Sequence, residues 1–166
     1  MNQRRSFSIP PARRRAFTLV ESLAVIVVLS VAIPPAVSMM VDSARAQADS
    51  VTQARATWFA TTVLEHIIAD VNSDDAVLGF DALADSNAYL TTPKTGLEDR
   101  ILTASAFYSG LGLTHTVQIG ALSDASGVIT GDPGQDIYRT ITVSVAWTTL
   151  QGNSRTLSLG AVVTDL

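Results

Sequence analysis

Residues 22–41 read SLAVIVVLSVAIPPAVSMMV, a run of twenty residues without a charged side chain. At the rise of an α-helix, about 1.5 Å per residue, twenty residues cover the roughly 30 Å hydrocarbon core of a bilayer. Residues 17–20 extend the apolar run on the other side of Glu21. The sequence therefore predicts that residues 17–41 form a transmembrane helix.

The charges of the chain divide sharply at this run. The first sixteen residues hold five arginines and no acidic side chain, so they carry +5, while the rest carries −9, which gives the net charge of −4. Basic residues next to a transmembrane helix stay on the cytoplasmic side of the membrane. We therefore expect a single-pass protein whose N-terminus is cytoplasmic and whose acidic remainder is exported.

Composition excludes several classes of protein. With 47% hydrophobic and 16% charged residues, the chain is not a disordered acidic tail. Its acidic remainder would repel phosphate, so we expect no nucleic-acid partner. The chain has no cysteine, which removes disulfides, thiol nucleophiles and zinc thiolates. His66 and His115 share no ligand-like spacing and no catalytic motif is present, so we expect no enzyme.

Glu21 lies one turn inside the predicted transmembrane helix. A charge costs about 2.5 to 3.5 kcal/mol near the middle of a bilayer and less near its surface. One interpretation is that the carboxylate reaches back to the cytoplasmic headgroups. The other rests on its neighbours. Residues 13–21 read RRRAFTLVE before an apolar helix, which resembles the type IV prepilin signal, where a basic leader is cut before a Phe and a Glu stands fifth in the mature chain.

This resemblance implies a route of processing and assembly. A prepilin peptidase would remove the leader, residues 1–16, by cutting between Ala16 and Phe17, and the new amino group of Phe17 would be N-methylated. Glu21 would then pair with the Phe17 amine of a neighbouring pilin or pseudopilin subunit, which gives the carboxylate an opposite charge within lipid. The protein would span the bacterial inner membrane with its C-terminal domain in the periplasm. Ala16 replaces the Gly that the family usually has before the cut.

Two other targeting signals use the same residues. A Sec signal peptide would take residues 23–33 as its apolar core and the Ala-Arg-Ala of residues 44–46 as its cleavage site. A twin-arginine signal would begin at Arg4 or at Arg14. Neither accounts for Glu21. Such a protein would be a monomeric binding module, anchored in the membrane or exported to the periplasm, and this is the alternative to a structural subunit.

Pro34 and Pro35 stand side by side in the predicted helix. Each removes an amide donor, at about 3 kcal/mol for an interior proline, so the carbonyls of Ser30 and Val31 lose their partners. We predict a helix break here, as a kink or a locally melted turn. An ordinary proline kink is one interpretation, and the functional hypothesis is that the break lets the helix stretch in a filament.

The helical pattern continues beyond the membrane, because residues 42–71 contain neither Gly nor Pro. We predict a soluble half of the helix over residues 42–72. Its apolar stripe has the spacing i, i+3, i+4, i+7 and consists of Ala60, Val63, Leu64, Ile67, Ile68 and Val71. Val51, Ala54 and Trp58 cluster about 140° from this stripe. The preferred interpretation is that the following loop folds over Trp58 or that the helix lies in a deep groove, and the functional hypothesis is that these three residues contact a neighbouring subunit.

Residues 73–99 are predicted to form a connecting loop with a short helical turn at residues 80–84. Four aspartates in this segment match no ion-binding spacing and indicate a solvated loop; they are Asp74, Asp75, Asp81 and Asp85. In the turn at residues 131–136, GDPGQD, we consider Asp132 and Asp136 as calcium ligands. A plain turn accounts for the Pro and Gly and is preferred, so we expect no metal and no other cofactor.

Beyond residue 100 the pattern alternates. Residues 137–148 place apolar and hydroxyl side chains on opposite faces, and residues 156–163 alternate again after a turn, which predicts a β-hairpin. Residues 101–108 and 113–122 are weaker strand candidates. The predicted fold is α+β, with the long N-terminal helix packed on a three- or four-stranded antiparallel sheet over residues 100–166.

The same arrangement of helix and sheet is what the prepilin resemblance implies. Residues 54–71 and 138–163 also look similar to the I-type minor pseudopilins of type II secretion and to the related V-type minor pilins of type IV pili. We therefore expect a structural subunit of a pilus or pseudopilus. Its expected partners are the prepilin peptidase, other pilin or pseudopilin subunits, and the inner membrane.

Overall fold

The computed structural model describes residues 18–73, 75 and 77–164 of the chain. A long helix, α1 (Leu19–Val71), comes first, a segment of short helices follows, and three strands complete the fold. The fold class is α+β, as predicted. The chain divides into two compact units, the first ending at Ala44 and the second beginning at Arg45, and each is described by itself.

In the first unit, α1 begins after Thr18. The Oγ1 of Thr18 accepts a hydrogen bond from the Glu21 amide at 3.3 Å, and its carbonyl accepts one from the Ser22 amide at 3.1 Å. A threonine in this position satisfies an amide that no earlier helical carbonyl reaches. All described residues from 18 to 44 are exposed.

Pro34 and Pro35 lie inside α1, and the residues around them remain helical. The predicted melted turn is therefore wrong, because the proline ring fixes φ near its helical value and only the two amide donors are lost. Hydroxyls donate to carbonyls on either side, from Ser30 to Val27 at 2.7 Å and from Ser38 to Pro35 at 2.9 Å. The kink and its role in stretching stay predictions.

Between α1 and the sheet the chain forms short helices rather than an open loop. A 3₁₀ helix (Phe80–Ala84) confirms the predicted turn, and α2 (Ser86–Thr91) and α3 (Leu97–Arg100) follow it. The carboxylate of Asp85 accepts the Ala88 amide at 3.0 Å and so caps α2.

Residues 101–108, which were predicted to be a strand, are helical instead and belong mostly to α4 (Leu102–Ser109). Ile101 is buried and Tyr108 packs against the core. Seven residues separate them, two turns of a helix, so both fall on one helical face, whereas a strand would place them on opposite faces.

The sheet has three antiparallel strands, β1 (Thr114–Ser123), β2 (Tyr138–Thr148) and β3 (Ser154–Thr164), in the order β1-β2-β3. The predicted β2–β3 hairpin is confirmed. Its register runs from Tyr138 opposite Thr164 to Thr148 opposite Ser154 without a shift. Gly152 takes the positive φ of 82° that the turn requires.

One face of the sheet packs on the second half of α1. The helix buries Ala56, Phe59, Ala60, Val63 and Ile67, and β2 buries Ile141, Val143, Val145 and Trp147. Most of the predicted stripe faces this core, but Ile68 is 36% exposed. Phe59 was not predicted in the stripe, and its ring stacks on Tyr108 at 4.4 Å and meets His115 edge-on at 5.1 Å.

Two contacts fix the direction of this helix along the sheet. The Asp49 carboxylate accepts the backbone amide of Leu150, in the turn between β2 and β3, at 3.4 Å. Ten residues later Phe59 touches His115, whose partner Val145 is paired in turn with Leu157 of β3. The second half of α1 therefore runs in the same sense as β3.

Candidate functional site

The first candidate surface is the N-terminal part of α1. Within the described residues, α1 is the one helix long and apolar enough to cross a membrane, judged by length and composition. None of its most apolar window is buried. Ala16 and Phe17, the predicted cleavage and methylation site, lie outside the described residues.

Glu21 stands exposed in the first turn of this helix. Residues 17–44 contain two charged side chains, Glu21 and Asp42, and no basic one. No side chain of this segment therefore offers Glu21 a cation. In a medium without water a carboxylate is stable only when a cation or a hydrogen-bond donor from elsewhere meets it.

The second candidate surface is the Trp58 patch, formed by Val51, Ala54 and Trp58 on the soluble half of α1. The Trp58 side chain is 69% exposed and Val51 is 51% exposed. The interpretations that a loop covers Trp58, or that it sits in a groove, are therefore wrong. Residues beyond Val71 pack on the core instead, through Leu83, Tyr89 and Leu97. The patch is free to meet another molecule.

A buried charged cluster, missed by the sequence reasoning, holds those short helices in place. The two terminal nitrogens of the Arg100 guanidinium donate to the two oxygens of Asp70, each at 2.6 Å, and the Tyr89 hydroxyl donates to the same carboxylate. Burial, together with the Asp70 carboxylate, raises the pKa of Tyr89, and the hydrogen bond to Asp70 raises the pKa of Arg100. The cluster ties the end of α1 to α2 and α3.

A signal for this cluster was present in the sequence. Asp70 stands three residues after Ile67, on the same helical face as the apolar stripe. An acidic residue at such a position needs a buried partner. The sequence gives no local pattern that selects Arg100, thirty residues away, because the pairing depends on how the short helices pack.

The third candidate is the turn that contains Asp132 and Asp136. The Asp136 carboxylate accepts the amides of Thr130 and Gly131 and the Thr130 hydroxyl, at 2.7 to 3.0 Å. Burial acts to raise the pKa of Asp136, but these hydrogen bonds outweigh it and hold the pKa below its ordinary value. Asp136 thus fastens its own turn.

Asp132 is used in the same way. Its two oxygens accept the Gly134 amide at 2.9 Å and the Gln135 side-chain amide at 3.0 Å. Over the residues that the structure describes, no group of three or more His, Asp or Glu side chains is arranged to hold a metal ion. The geometry of this segment is that of a turn held by its own donors, the interpretation preferred above.

The three candidates therefore differ in what they leave unused. The carboxylates of Asp70, Asp132 and Asp136 accept hydrogen bonds from donors of the same domain. Glu21 and the Trp58 patch are exposed. Of these candidates, the two that remain open to another molecule lie on α1, at its N-terminal apolar segment and on the outer face of its soluble half. Comparisons of the chain with protein-family models, with curated proteins and with solved structures find no match.

Proposed function

We propose that this protein is a structural subunit, a minor pilin or pseudopilin, of a type IV pilus or a type II secretion pseudopilus. A prepilin peptidase cuts it between Ala16 and Phe17, and the mature chain assembles through α1 at the bacterial inner membrane, with its domain in the periplasm. The observation that carries the proposal is Glu21, a carboxylate on an exposed apolar helix whose own segment contains no basic side chain.

The energetics favour an intermolecular partner for this group. An unpaired carboxylate in the membrane costs a few kcal/mol, about 2.5 to 3.5 at the bilayer centre. An amine from a neighbouring subunit removes much of that cost only when the two helices lie side by side. The Glu21 carboxylate therefore costs less free energy in the assembled state than in an isolated membrane helix. This difference favours assembly.

The Trp58 patch supports the same proposal from the second unit. An exposed tryptophan beside two small apolar side chains is typical of a contact with another protein, because aromatic residues are enriched at interfaces. It lies on the helix that also carries Glu21, so one element would supply both contacts to neighbouring subunits.

The test is Glu21→Gln, which keeps the side-chain shape and removes the charge. We expect incorporation into filaments or membrane complexes to fall at least tenfold, while thermal unfolding of the domain is unchanged. Ser22→Ala, in the same exposed turn, is the matched control and should assemble normally. Normal incorporation of Glu21→Gln would contradict the role proposed for Glu21, whereas absence of the unaltered protein from filaments and membrane complexes would favour a monomeric anchored module.

Mass spectrometry of the processed chain gives an independent readout. The proposal expects a mature N-terminus at Phe17 that carries one added methyl group. A mature chain starting at Gln47 would mean cleavage by signal peptidase after residues 44–46, and would exclude assembly through Glu21 because that residue would be gone.

A further inference from the structure

β3 is an edge strand whose outer side is bare. It pairs with β2 along its whole length, and no other described segment forms backbone hydrogen bonds with residues 155–163. In an antiparallel ladder, alternate residues direct both N–H and C=O away from the neighbouring strand. Over these residues β3 therefore presents a regular row of backbone donors and acceptors.

The opposite edge is protected in ways that β3 is not. In β1 the register shifts between Ile119 and Leu122, and the Arg139 guanidinium donates to the Gly120 carbonyl inside this bulge at 3.1 Å. Side chains of α2 and α3 also flank β1, where Leu90 and Leu97 line a cleft with residues 115–117. β3 has no bulge, no proline and a single charge, Arg155. Proteins normally block exposed edges with such devices.

The hydrophobic core is also incomplete beside β3. The central strand buries Ile141, Val143 and Val145 fully. Their partners in β3 are only partly buried, namely Ala161, Leu159 and Leu157. A further strand along β3 would pair the backbone groups and cover these side chains in one step.

We propose that β3 is a docking edge for an extended segment of a different protein chain, with apolar side chains at alternate positions. Strand addition of this kind takes its affinity from main-chain hydrogen bonds and its specificity from the side chains that alternate along the strand. The face of the added strand that continues the core carries the apolar residues, and its other face continues the hydroxyl-rich side of the sheet.

A second copy of this chain does not fit the edge, an argument that rests on the membrane anchoring in the proposed function. Two β3 strands paired antiparallel would point the soluble halves of α1 in opposite directions, since each runs in the sense of β3. The two Arg45 residues, at which the soluble halves begin, would then lie at opposite ends of the pair, whereas two chains anchored in one membrane have these residues on the same side. Two β3 strands paired parallel would place Arg155 against its copy, and would set the apolar face beside the hydroxyl face.

The experiment uses the absence of cysteine in the chain. Val162→Cys places a thiol at a position of β3 that is 64% exposed, and Thr116→Cys places one on the exposed side of β1 as the matched control. Each full-length variant is labelled with a maleimide in intact cells and, after purification, alone in detergent. We expect labelling at residue 162 to be at least tenfold slower in cells, with no such difference at residue 116.

Proline variants separate docking from folding. Of two consecutive residues in β3, one directs its N–H to β2 and the other directs it outward. Thr156→Pro and Leu157→Pro are therefore combined in turn with Val162→Cys. The variant that still folds has lost an outward N–H and no hydrogen bond to β2. It should bind the added strand less well and so restore fast labelling of residue 162 in cells.

Three outcomes would overturn the inference. The first is labelling at residue 162 that is equally fast in cells and in detergent. If incorporation still depends on Glu21, this result overturns the docking edge without contradicting the proposed function. The second is slow labelling that the folded proline variant does not reverse. For the third, a benzophenone maleimide is attached at residue 162 and crosslinked by light. A product that joins two copies of this chain overturns the inference, whereas a product with a different chain supports it.

Discussion

The two halves of α1 are one helix in two different environments. Up to Ala44 every described residue is exposed, including valines, leucines and isoleucines on all sides of the helix. From Arg45 to Val71 most of the large apolar side chains gather on one buried face, and the Trp58 patch and Ile68 are the exposed exceptions. A helix that is apolar all round needs lipid or other helices around it, whereas a one-sided helix needs a single covering surface. The distribution of apolar residues, rather than their number, separates the halves.

The two halves also treat an acidic side chain differently. Asp70, in the second half, is 7% exposed and has a two-pronged contact with Arg100 inside the same domain. Glu21, in the first half, has no basic residue within its segment. The Asp70 carboxylate has its cation within the fold, and for Glu21 we propose a partner from a different molecule.

Removal of residues 1–44 tests the division most directly. The remaining chain forms a compact unit of its own, so we expect it to fold and to leave the membrane fraction entirely. Circular dichroism checks the fold, and sedimentation with membranes before and after a salt wash checks the association. The full chain is the control. A truncated chain that stays with washed membranes would show that the second unit also carries an anchor.

Two adjacent aromatic residues test which face of the second half is buried. Phe59→Ala should lower the free energy of unfolding by about 3 to 5 kcal/mol, because it leaves a cavity among Tyr108, His115 and the sheet. Trp58→Ala, at an exposed position, should change it by no more than about 0.5 kcal/mol and should reduce subunit incorporation instead. Urea denaturation measures the first effect. Equal losses in the two variants would contradict the assignment of faces.

The charged cluster tests whether folding neutralises Asp70. Arg100→Gln leaves that carboxylate buried without its cation, and we expect a loss of about 3 kcal/mol, the lower end for a buried pair because Arg100 is partly exposed. Glu98→Gln, an exposed neighbour in α3, is the matched control and should stay within about 0.5 kcal/mol. A loss below 1 kcal/mol for Arg100→Gln would mean that water reaches Asp70 readily.

Periodicity explains what the sequence predicted well. The soluble half of α1 and the β2–β3 hairpin have clear periods of 3.6 and 2 residues, and both were placed correctly. The buried face of the helix was misplaced by about 60°, because Leu64 and Ile68 were counted in the stripe and Phe59 was not. Trp58 and Phe59 are adjacent aromatic residues, and the choice between them depends on where Tyr108 and His115 lie.

The errors occur where contacts are distant or patterns are short. Residues 101–108 carry small and apolar side chains without a clean period, so their helical state follows from packing of Ile101 and Tyr108 on the core. The Asp70 cluster joins residues 19 and 30 positions apart. No local spacing encodes such pairs. The roles of Glu21 and the Trp58 patch stay predictions, because they concern molecules outside this chain.

The smallest effect that we predict is a dependence of domain stability on pH between 8 and 5. Burial lowers the pKa of His115 below its ordinary 6.5, although Glu98 opposes the shift. Because the folded state favours the neutral imidazole, its contribution to stability is present above pH 6.5 and is lost as the pH falls toward the lower folded pKa. The carboxylates with lowered pKa, Asp124 and Asp136, lose their contributions only below about pH 3.8, and Tyr89 loses its own above pH 10.

This separation of ranges makes the measurement specific. Urea midpoints at pH 8 and pH 5 should differ more in the unaltered domain than in His115→Gln, while the exposed His66→Gln serves as the matched control and should behave like the unaltered domain. If His115→Gln keeps the full difference, the imidazole is not desolvated against Phe59, and the contact between the soluble half of α1 and β1 is looser than described. If His115→Gln abolishes the difference between the two urea midpoints, then neutral His115 is part of the surface that covers the soluble half of α1. That half of the helix has its covering surface within the fold.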